Sequence, residues 1–191
     1  MAPPKAPHGP KRLSADDWLV AGARMLADEG PQALKAEPMA RRMNTTKGSF
    51  YWHFRDLPDF HARLLARWER AALSRLAELD GDEDGAGPAR RLRALAQAIS
   101  DPGGEGPAVE VALRAWAAGH DGARAALGRV EAARHAALGA SLSEIGIDNP
   151  EMARIIHAAA IGLPLLHGGP AGAATRRDAA GSLVDLVLAL R

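Results

Sequence analysis

Apolar residues recur along this 191-residue chain with the spacing of helices. They fall every three or four positions, as one face of a helix requires, and no run alternates with the period of a strand over any length. Near the C-terminus, for example, Leu183, Leu186, Val187 and Leu190 form one apolar stripe. The pattern predicts an all-α protein.

Turn and capping residues divide this pattern into helices. Ser14 with Asp17 forms a capping box, and Gly30 followed by Pro31 ends the first helix. Asp56 with Asp59 opens a long fourth helix that should connect the N-terminal part of the molecule to the rest. Later helices are predicted over 89–100, 108–118 and 122–145, from Pro150 onward, and from a capping box at Thr175 and Asp178.

Two short helices joined by a sharp turn are predicted before that connecting helix. Met39, Ala40 and Met43 give the first an apolar face, which should end at Asn44 because Asn readily takes the left-handed conformation that ends a helix. Thr46 then caps the second helix, whose free amides and dipole suit a phosphate oxygen. This arrangement is typical of a helix-turn-helix that reads DNA.

Aromatic residues of the second short helix predict how it is anchored. Phe50 and Phe54 are four apart and share one face, which should pack on the core. Trp52 is also assigned to packing, because an aromatic at helical spacing is more often core than contact.

The remaining side chains of this helix suit a duplex. Lys47, Tyr51 and His53 supply a cation, a phenol and an imidazole for the DNA backbone, and Ser49 is a candidate for a base edge. Gly48 has no side chain to hold the backbone away from a ligand.

The charge distribution also agrees with DNA binding by the N-terminal part of the chain. Residues 1–55 hold 9 Lys or Arg against 5 Asp or Glu, a net +4, and the remainder holds 15 against 18, a net −3. Positive charge therefore gathers where backbone binding would need it. The basic, Pro-rich residues 1–12 have no apolar stretch of a signal peptide and are interpreted as a disordered arm, so we expect a cytoplasmic protein.

The string Lys-Gly-Ser-Phe-Tyr-Trp-His-Phe at 47–54 is quite specific, and residues 14–79 resemble the N-terminal DNA-binding domain of the TetR family of bacterial transcriptional regulators. The resemblance implies an all-helical homodimer with a three-helix DNA-binding head over 13–56 and an effector-binding and dimerisation domain over 57–191. It also implies a near-palindromic operator, bound by a repressor that a small molecule releases. The DNA contacts carried over with the string are Thr46, Lys47, Gly48, Ser49, Tyr51 and His53.

The chain departs from the family pattern at some positions. Lys35 stands where a capping Ser or Thr is common, and Pro38 falls in the first turn of that helix. Asn44 replaces the usual turn glycine. Leu57 occupies the place of a phosphate-binding Lys in many members, a contact for which Arg55 is a substitute.

The resemblance places the dimer interface on the last two helices and the effector pocket between about Arg90 and Gly146. An intramolecular core is the alternative for the last two helices. The uncharged stretch 155–175 is cut by Pro164, which leaves no continuous membrane span, and is interpreted as a buried helix followed by a loop. Candidates for lining a mainly apolar pocket are Arg114, Trp116, His120 and His135. The sequence favours the alternatives, which are core for Trp116, half-exposed surface for Arg114 and His135, and a loop for His120.

Enzyme chemistry finds little support in the sequence. There are no cysteines, and no two of the seven histidines lie three or four apart on one helical face, so neither a metal site nor a cofactor is predicted. Gly48 and Ser49 lack the second glycine and the preceding strand of a nucleophile elbow. The remaining alternative is a helical small-molecule-binding or scaffold protein that no longer binds DNA.

Overall fold

A computed structural model describes residues 13–80, 87–103 and 106–189 of the chain. This part is helical and contains no strand. The helices are α1 (Ala15–Glu29), α2 (Ala36–Arg42), α3 (Lys47–His53), α4 (Leu57–Asp80), α5 (Gly87–Ser100), α6 (Gly106–Ala117), α7 (Asp121–Glu144), α8 (Pro150–Leu166) and α9 (Ala173–Ala189). The predicted all-α class is confirmed. The basic arm predicted for residues 1–12 and most of the loop before α5 lie outside the described residues.

Most predicted helix boundaries are confirmed by capping geometry. Ser14 accepts a hydrogen bond from the amide of Asp17, whose carboxylate accepts one from Ser14 N in return. Gly30 ends α1 with φ at 82°. Asp59 N donates to Asp56 Oδ1 over 2.8 Å at the start of α4, and Pro150 follows the N-cap Asn149 of α8.

The predicted start of the last helix is wrong. The sequence predicts a capping box at Thr175 and Asp178, but α9 begins at Ala173, directly after a turn of 3-10 helix at Pro170–Gly172. The guanidinium of the buried Arg176 donates to the carbonyls of His167 and Gly169. These hydrogen bonds tie residues 167–169 to the first turn of α9. Thr175 lies inside that turn, so it is not the N-cap.

The prediction of a buried helix in the uncharged stretch also needs correction. Helix α8 continues through Pro164 to Leu166, and only one of its faces is buried, by contacts with α5, α7 and α9. Ile155, Leu165 and Leu166 are exposed. No helix among the described residues is both long enough and apolar enough to cross a membrane.

Two apolar cores organise the molecule. The first core joins α1, α2, α3 and the first half of α4 to Leu113 and Trp116 of α6 and to the start of α7. The second core lies between α5, the end of α7, α8 and α9. Helix α4 contributes to the first core and contacts α7 and α5, so it connects the N-terminal helices to the body.

Candidate nucleic-acid interface

The turn between α2 and α3 has the geometry of a helix-turn-helix. Asn44 is left-handed, with φ at 50°. Its amide donates to Arg41 O over 3.2 Å, and Thr45 N donates to Ala40 O over 2.9 Å, which satisfies carbonyls at the end of α2. The predicted end of α2 at Asn44 is therefore confirmed. The expected lack of a cap at Lys35 is confirmed as well, since no side chain bonds the first turn of α2.

Thr46 caps α3 as predicted. Its backbone is extended, and its hydroxyl oxygen accepts a hydrogen bond from Ser49 N over 3.3 Å. The cap uses one of the first-turn amides and leaves others directed outward, where the helix dipole favours an anion.

A cluster of aromatic rings fixes the inner face of α3. Phe50 and Phe54 are fully buried, with ring centroids 5.0 Å apart. Phe50 packs edge-on against Trp18 at 5.4 Å, and Phe54 packs edge-on against Phe60 at 5.0 Å. Gly22 lets α1 approach α4 closely, because a Cβ there would lie 2.6 Å from Phe60 Cζ. The ring cluster therefore determines which face of α3 is turned outward.

The outer face of α3 carries polar and aromatic groups. Lys47 and Gly48 are exposed, and Ser49 and His53 are half-buried. Tyr51 is 49% exposed, and Lys47 Nζ lies 5.9 Å from the centroid of its ring. A cation and a phenol thus lie side by side on the surface.

The prediction that Trp52 packs on the core is wrong. Its side chain is 74% exposed, the most exposed of the three aromatic residues assigned to packing. Trp52 lies two positions from both Phe50 and Phe54, and two positions turn an α-helix by about 200°. Its side chain therefore belongs to the outer face, beside Tyr51.

Arginines around α3 have different tasks. Arg42 pairs with Asp28 and Glu29 and ties α2 to α1; these bonds raise its pKa. Arg63, which sequence reasoning missed, donates to the carbonyl of His53 over 2.9 Å and lies 4.8 Å from the centroid of the Phe54 ring. It therefore supports the C-terminus of α3 from the next helix. Arg55 is highly exposed, and its Nε is 3.7 Å from Asp56.

The four residues suggested for an effector pocket lie in separate environments. Trp116 is buried, with its rings 4.5 Å from His120, and both contact His61 of α4. His120 is the N-cap of α7: its Nδ1 accepts a hydrogen bond from Ala123 N over 3.1 Å. Burial lowers the pKa of His61, whose Nε2 is 3.2 Å from Leu34 O in the turn before α2.

Arg114 and His135 lie elsewhere in the body. Arg114 forms ion pairs with Glu110 and Glu131. His135 stacks on His157 with centroids 6.2 Å apart, and burial lowers the pKa of His157. The structure therefore does not bring the four suggested residues to one cavity.

Two adjoining cavities lie instead along α4. The larger, of about 280 Å³, is formed by apolar residues of α1, α4 and α6. The smaller, of about 140 Å³, lies between α4, α5, α6 and α7 and has Arg75, Glu110 and Arg134 in its wall. Trp68, Ala71 and Gly106 line both cavities. Among the described residues, no group of three or more acidic or histidine side chains could hold a metal ion.

Comparisons with known proteins agree with this fold. The family model of bacterial regulatory proteins, tetR family, matches residues 19–56. A transcriptional regulator from Rhodococcus sp. Rha1 superimposes with a TM-score of 0.76 at 22% identity, over 92% of this chain and 96% of that one. A TetR-family regulator from Rhodococcus sp. superimposes with a TM-score of 0.72 at 21% identity, over 91% of this chain and 97% of that one.

A third similar structure contains a ligand. A transcriptional regulator from Saccharomonospora viridis, solved in complex with choline, has a TM-score of 0.69 at 16% identity and covers 90% of this chain and 95% of its own. None of the curated proteins matches this chain.

The fold and the outward face of α3 define a helix-turn-helix, DNA-binding regulator. Its N-terminal helices match the bacterial regulatory proteins of the tetR family over residues 19–56, and the chain shares its fold with the solved transcriptional regulators.

Proposed function

We propose that the protein is a homodimeric repressor that occupies a near-palindromic operator and is released by a small molecule. The observation that carries the proposal is the geometry of α3. Its inner face is fixed by the buried rings of Phe50 and Phe54, and its outer face presents Lys47, Tyr51 and Trp52 to the surroundings. A rigid helix with such a face fits the major groove of a duplex.

Each residue of the predicted DNA site has a distinct task in this proposal. Thr46 and Gly48, at the capped N-terminus of α3, bring backbone amides to a phosphate. Lys47 and Tyr51 bind phosphate oxygens, and His53 does so at the other end of the helix. Ser49 reaches a base edge. Trp52, which the structure adds to this face, packs on sugars of the DNA backbone.

Substitutions on α3 should separate backbone binding from base reading. Tyr51→Phe is expected to lower the affinity for every duplex by about fivefold per half-site, since one neutral hydrogen bond contributes about 1 kcal/mol. Ser49→Ala should instead relax the preference at particular base pairs. Fluorescence anisotropy on a set of single-base operator variants measures both. The recognition-helix assignment fails if neither substitution changes duplex binding.

Salt supplies the matched control. Lys47→Ala should reduce the slope of log affinity against log salt by about one per subunit, whereas Tyr51→Phe leaves the slope unchanged. A helical scaffold that no longer binds DNA would show no strongly salt-dependent binding in wild type. Such a result would favour that alternative over the repressor.

A dimer follows in this proposal from the surface of the last two helices. Ile155 and Leu166 lie about three turns apart on one face of α8, and Leu186 is exposed on α9. Large exposed apolar residues of this kind mark an interaction surface. A two-fold axis through α8 and α9 would hold two copies of α3 at the separation of about 34 Å that successive major grooves require.

Ile155→Glu should convert the dimer into a monomer. The substitution places a charge in an apolar interface, where desolvation without a partner is costly. Sedimentation equilibrium measures the change. Ala132→Glu, at an exposed position of α7, should leave the dimer intact. A wild-type monomer, or a dimer unaffected by Ile155→Glu, would place the interface elsewhere.

Release by an effector would act through α4. This helix packs with α1 and also contacts α5 and α7, so a ligand that moves it shifts the population away from the DNA-binding state. The choline complex of the Saccharomonospora viridis regulator supports a ligand site in this fold.

A further inference from the structure

The chemistry of the two cavities along α4 indicates which class of ligand they would take. Their shared lining residues, Trp68, Ala71 and Gly106, make them adjoining compartments. At about 280 Å³ the larger one is near the lower end of volumes typical of ligand pockets. The pair therefore suits a small, elongated molecule with two chemically different ends.

The larger compartment is apolar. Leu64 and Leu65 of α4, Val20 of α1, and Val109 and Leu113 of α6 contribute to its wall. Its charged lining residue, Arg67, is already paired with Asp16 over 2.9 Å. An alkyl or aryl group would be removed from water here, and burial of apolar area stabilises such a complex.

The smaller compartment carries a positive charge. Among its described lining residues the one carboxylate, Glu110, is already bonded by Arg134 and Arg114, and Arg114 also pairs with Glu131. Arg75 lines the same compartment and forms no ion pair with a carboxylate of the described residues. An organic cation would meet Arg75 and Arg134, whereas a carboxylate would find a guanidinium that offers several donors.

We propose that these compartments bind a small amphipathic carboxylate, with its acid group at Arg75 and its apolar part past Trp68 between α1, α4 and α6. The assignment rests on the proposed effector-controlled function and names its ligand class. A ligand in this position contacts α1 of the DNA-binding head as well as α4 and α6, so it bears directly on the angle between head and body.

Calorimetry on the full chain with three probes of equal length tests the proposal. Octanoate should bind about tenfold more tightly than octanol, and octylamine should bind weakest. Arg75→Gln should remove the tenfold advantage of octanoate and leave octanol unchanged. Arg70→Gln, on an exposed turn of the same helix outside both cavities, should change neither.

Filling the junction provides a second variant. Ala71 is exposed and lines both compartments, so Ala71→Phe should fold normally and abolish binding of octanoate and octanol. Ala77→Phe, also exposed on α4, is the matched control. Preference for octylamine, or octanoate binding that survives both Arg75→Gln and Ala71→Phe, would overturn the assignment.

A parallel duplex-binding measurement keeps the two proposals distinguishable. If octanoate binding depends on Arg75 and Ala71 as expected but leaves duplex affinity unchanged, the ligand site is supported. The proposal that an effector releases the protein from DNA is then wrong. If octanoate does not bind while the protein still binds a selected duplex, the ligand class is wrong and DNA reading stands.

Discussion

Replacing Glu110 by alanine should lower the free energy of unfolding by about 3 to 5 kcal/mol, the largest stability effect we expect of a single side chain here. Glu110 and Arg134 are both buried, and Arg134 Nη2 donates to Glu110 Oε2 over 2.9 Å. Removing the carboxylate leaves a buried guanidinium without its partner, and Arg114 loses one of its two carboxylates. A loss of about 10 °C in the thermal midpoint corresponds to this change for a chain of this size.

The control for this variant is an exposed ion pair. Glu151 pairs with Arg154 over 2.6 Å, but both side chains are more than half exposed, so Glu151→Ala should cost less than about 1 kcal/mol. Thermal denaturation followed by circular dichroism measures both variants. Equal, small losses for Glu110→Ala and Glu151→Ala would mean that the buried pair does not stabilise the body.

The pH dependence of stability follows from the direction in which the fold shifts the pKa of Glu110. Burial by itself would raise the pKa of this carboxyl, but the hydrogen bonds and charges of Arg134 and Arg114 outweigh burial and lower the pKa. A lowered folded-state pKa stabilises the protein above the ordinary pKa of glutamate, and the contribution is lost as the pH falls through the folded-state value. The difference between wild type and Glu110→Ala should therefore shrink in acid.

Gly48→Asp should reduce duplex affinity by about 100-fold or more, equivalent to at least about 2.7 kcal/mol, while the protein stays folded. Gly48 is exposed in the first turn of α3, and a Cβ there would have Thr46 Oγ1 as its nearest neighbour, at 3.7 Å. The free protein therefore has room for the new side chain. In the proposed complex the added carboxylate faces phosphates, and a homodimer presents it twice.

The same substitution at Gly128 controls for charge and helix propensity. Gly128 is exposed in α7, and a Cβ there would meet nothing within 4 Å. Gly128→Asp should bind the duplex like wild type. The thermal midpoints of Gly48→Asp and Gly128→Asp are measured as well, to show that both variants are folded. If Gly48→Asp binds the duplex as tightly as Gly128→Asp, the N-terminus of α3 does not approach DNA.

Local signals in the sequence were sufficient for the DNA-binding head. The capping box at Ser14, the left-handed residue at Asn44 and the cap at Thr46 each involve residues within about one helical turn, so their geometry can be predicted without the fold. Helical periodicity also contained the information that corrects Trp52. Its position opposite Phe50 and Phe54 follows from the rotation per residue of an α-helix. This geometric rule is more reliable here than the general tendency of aromatic residues to be buried.

The body could not be predicted to the same depth. Glu110 and Arg134 are 24 positions apart, and nothing local indicates that their side chains meet. The scattering of Arg114, Trp116, His120 and His135 likewise depends on how α6 and α7 cross. The start of α9 follows from the turn of 3-10 helix at Pro170–Gly172, which leads directly into the helix two residues before Thr175.

Selection of binding sites from a random duplex library, with the purified protein at physiological salt, tests whether the protein reads DNA as a dimer through α3. We expect enrichment of a two-fold-symmetric motif whose half-sites are about one helical turn apart, because two copies of α3 related by a dimer axis would read successive major grooves. Failure of the folded, ligand-free protein to enrich any motif would contradict the assignment of α3 as a recognition helix.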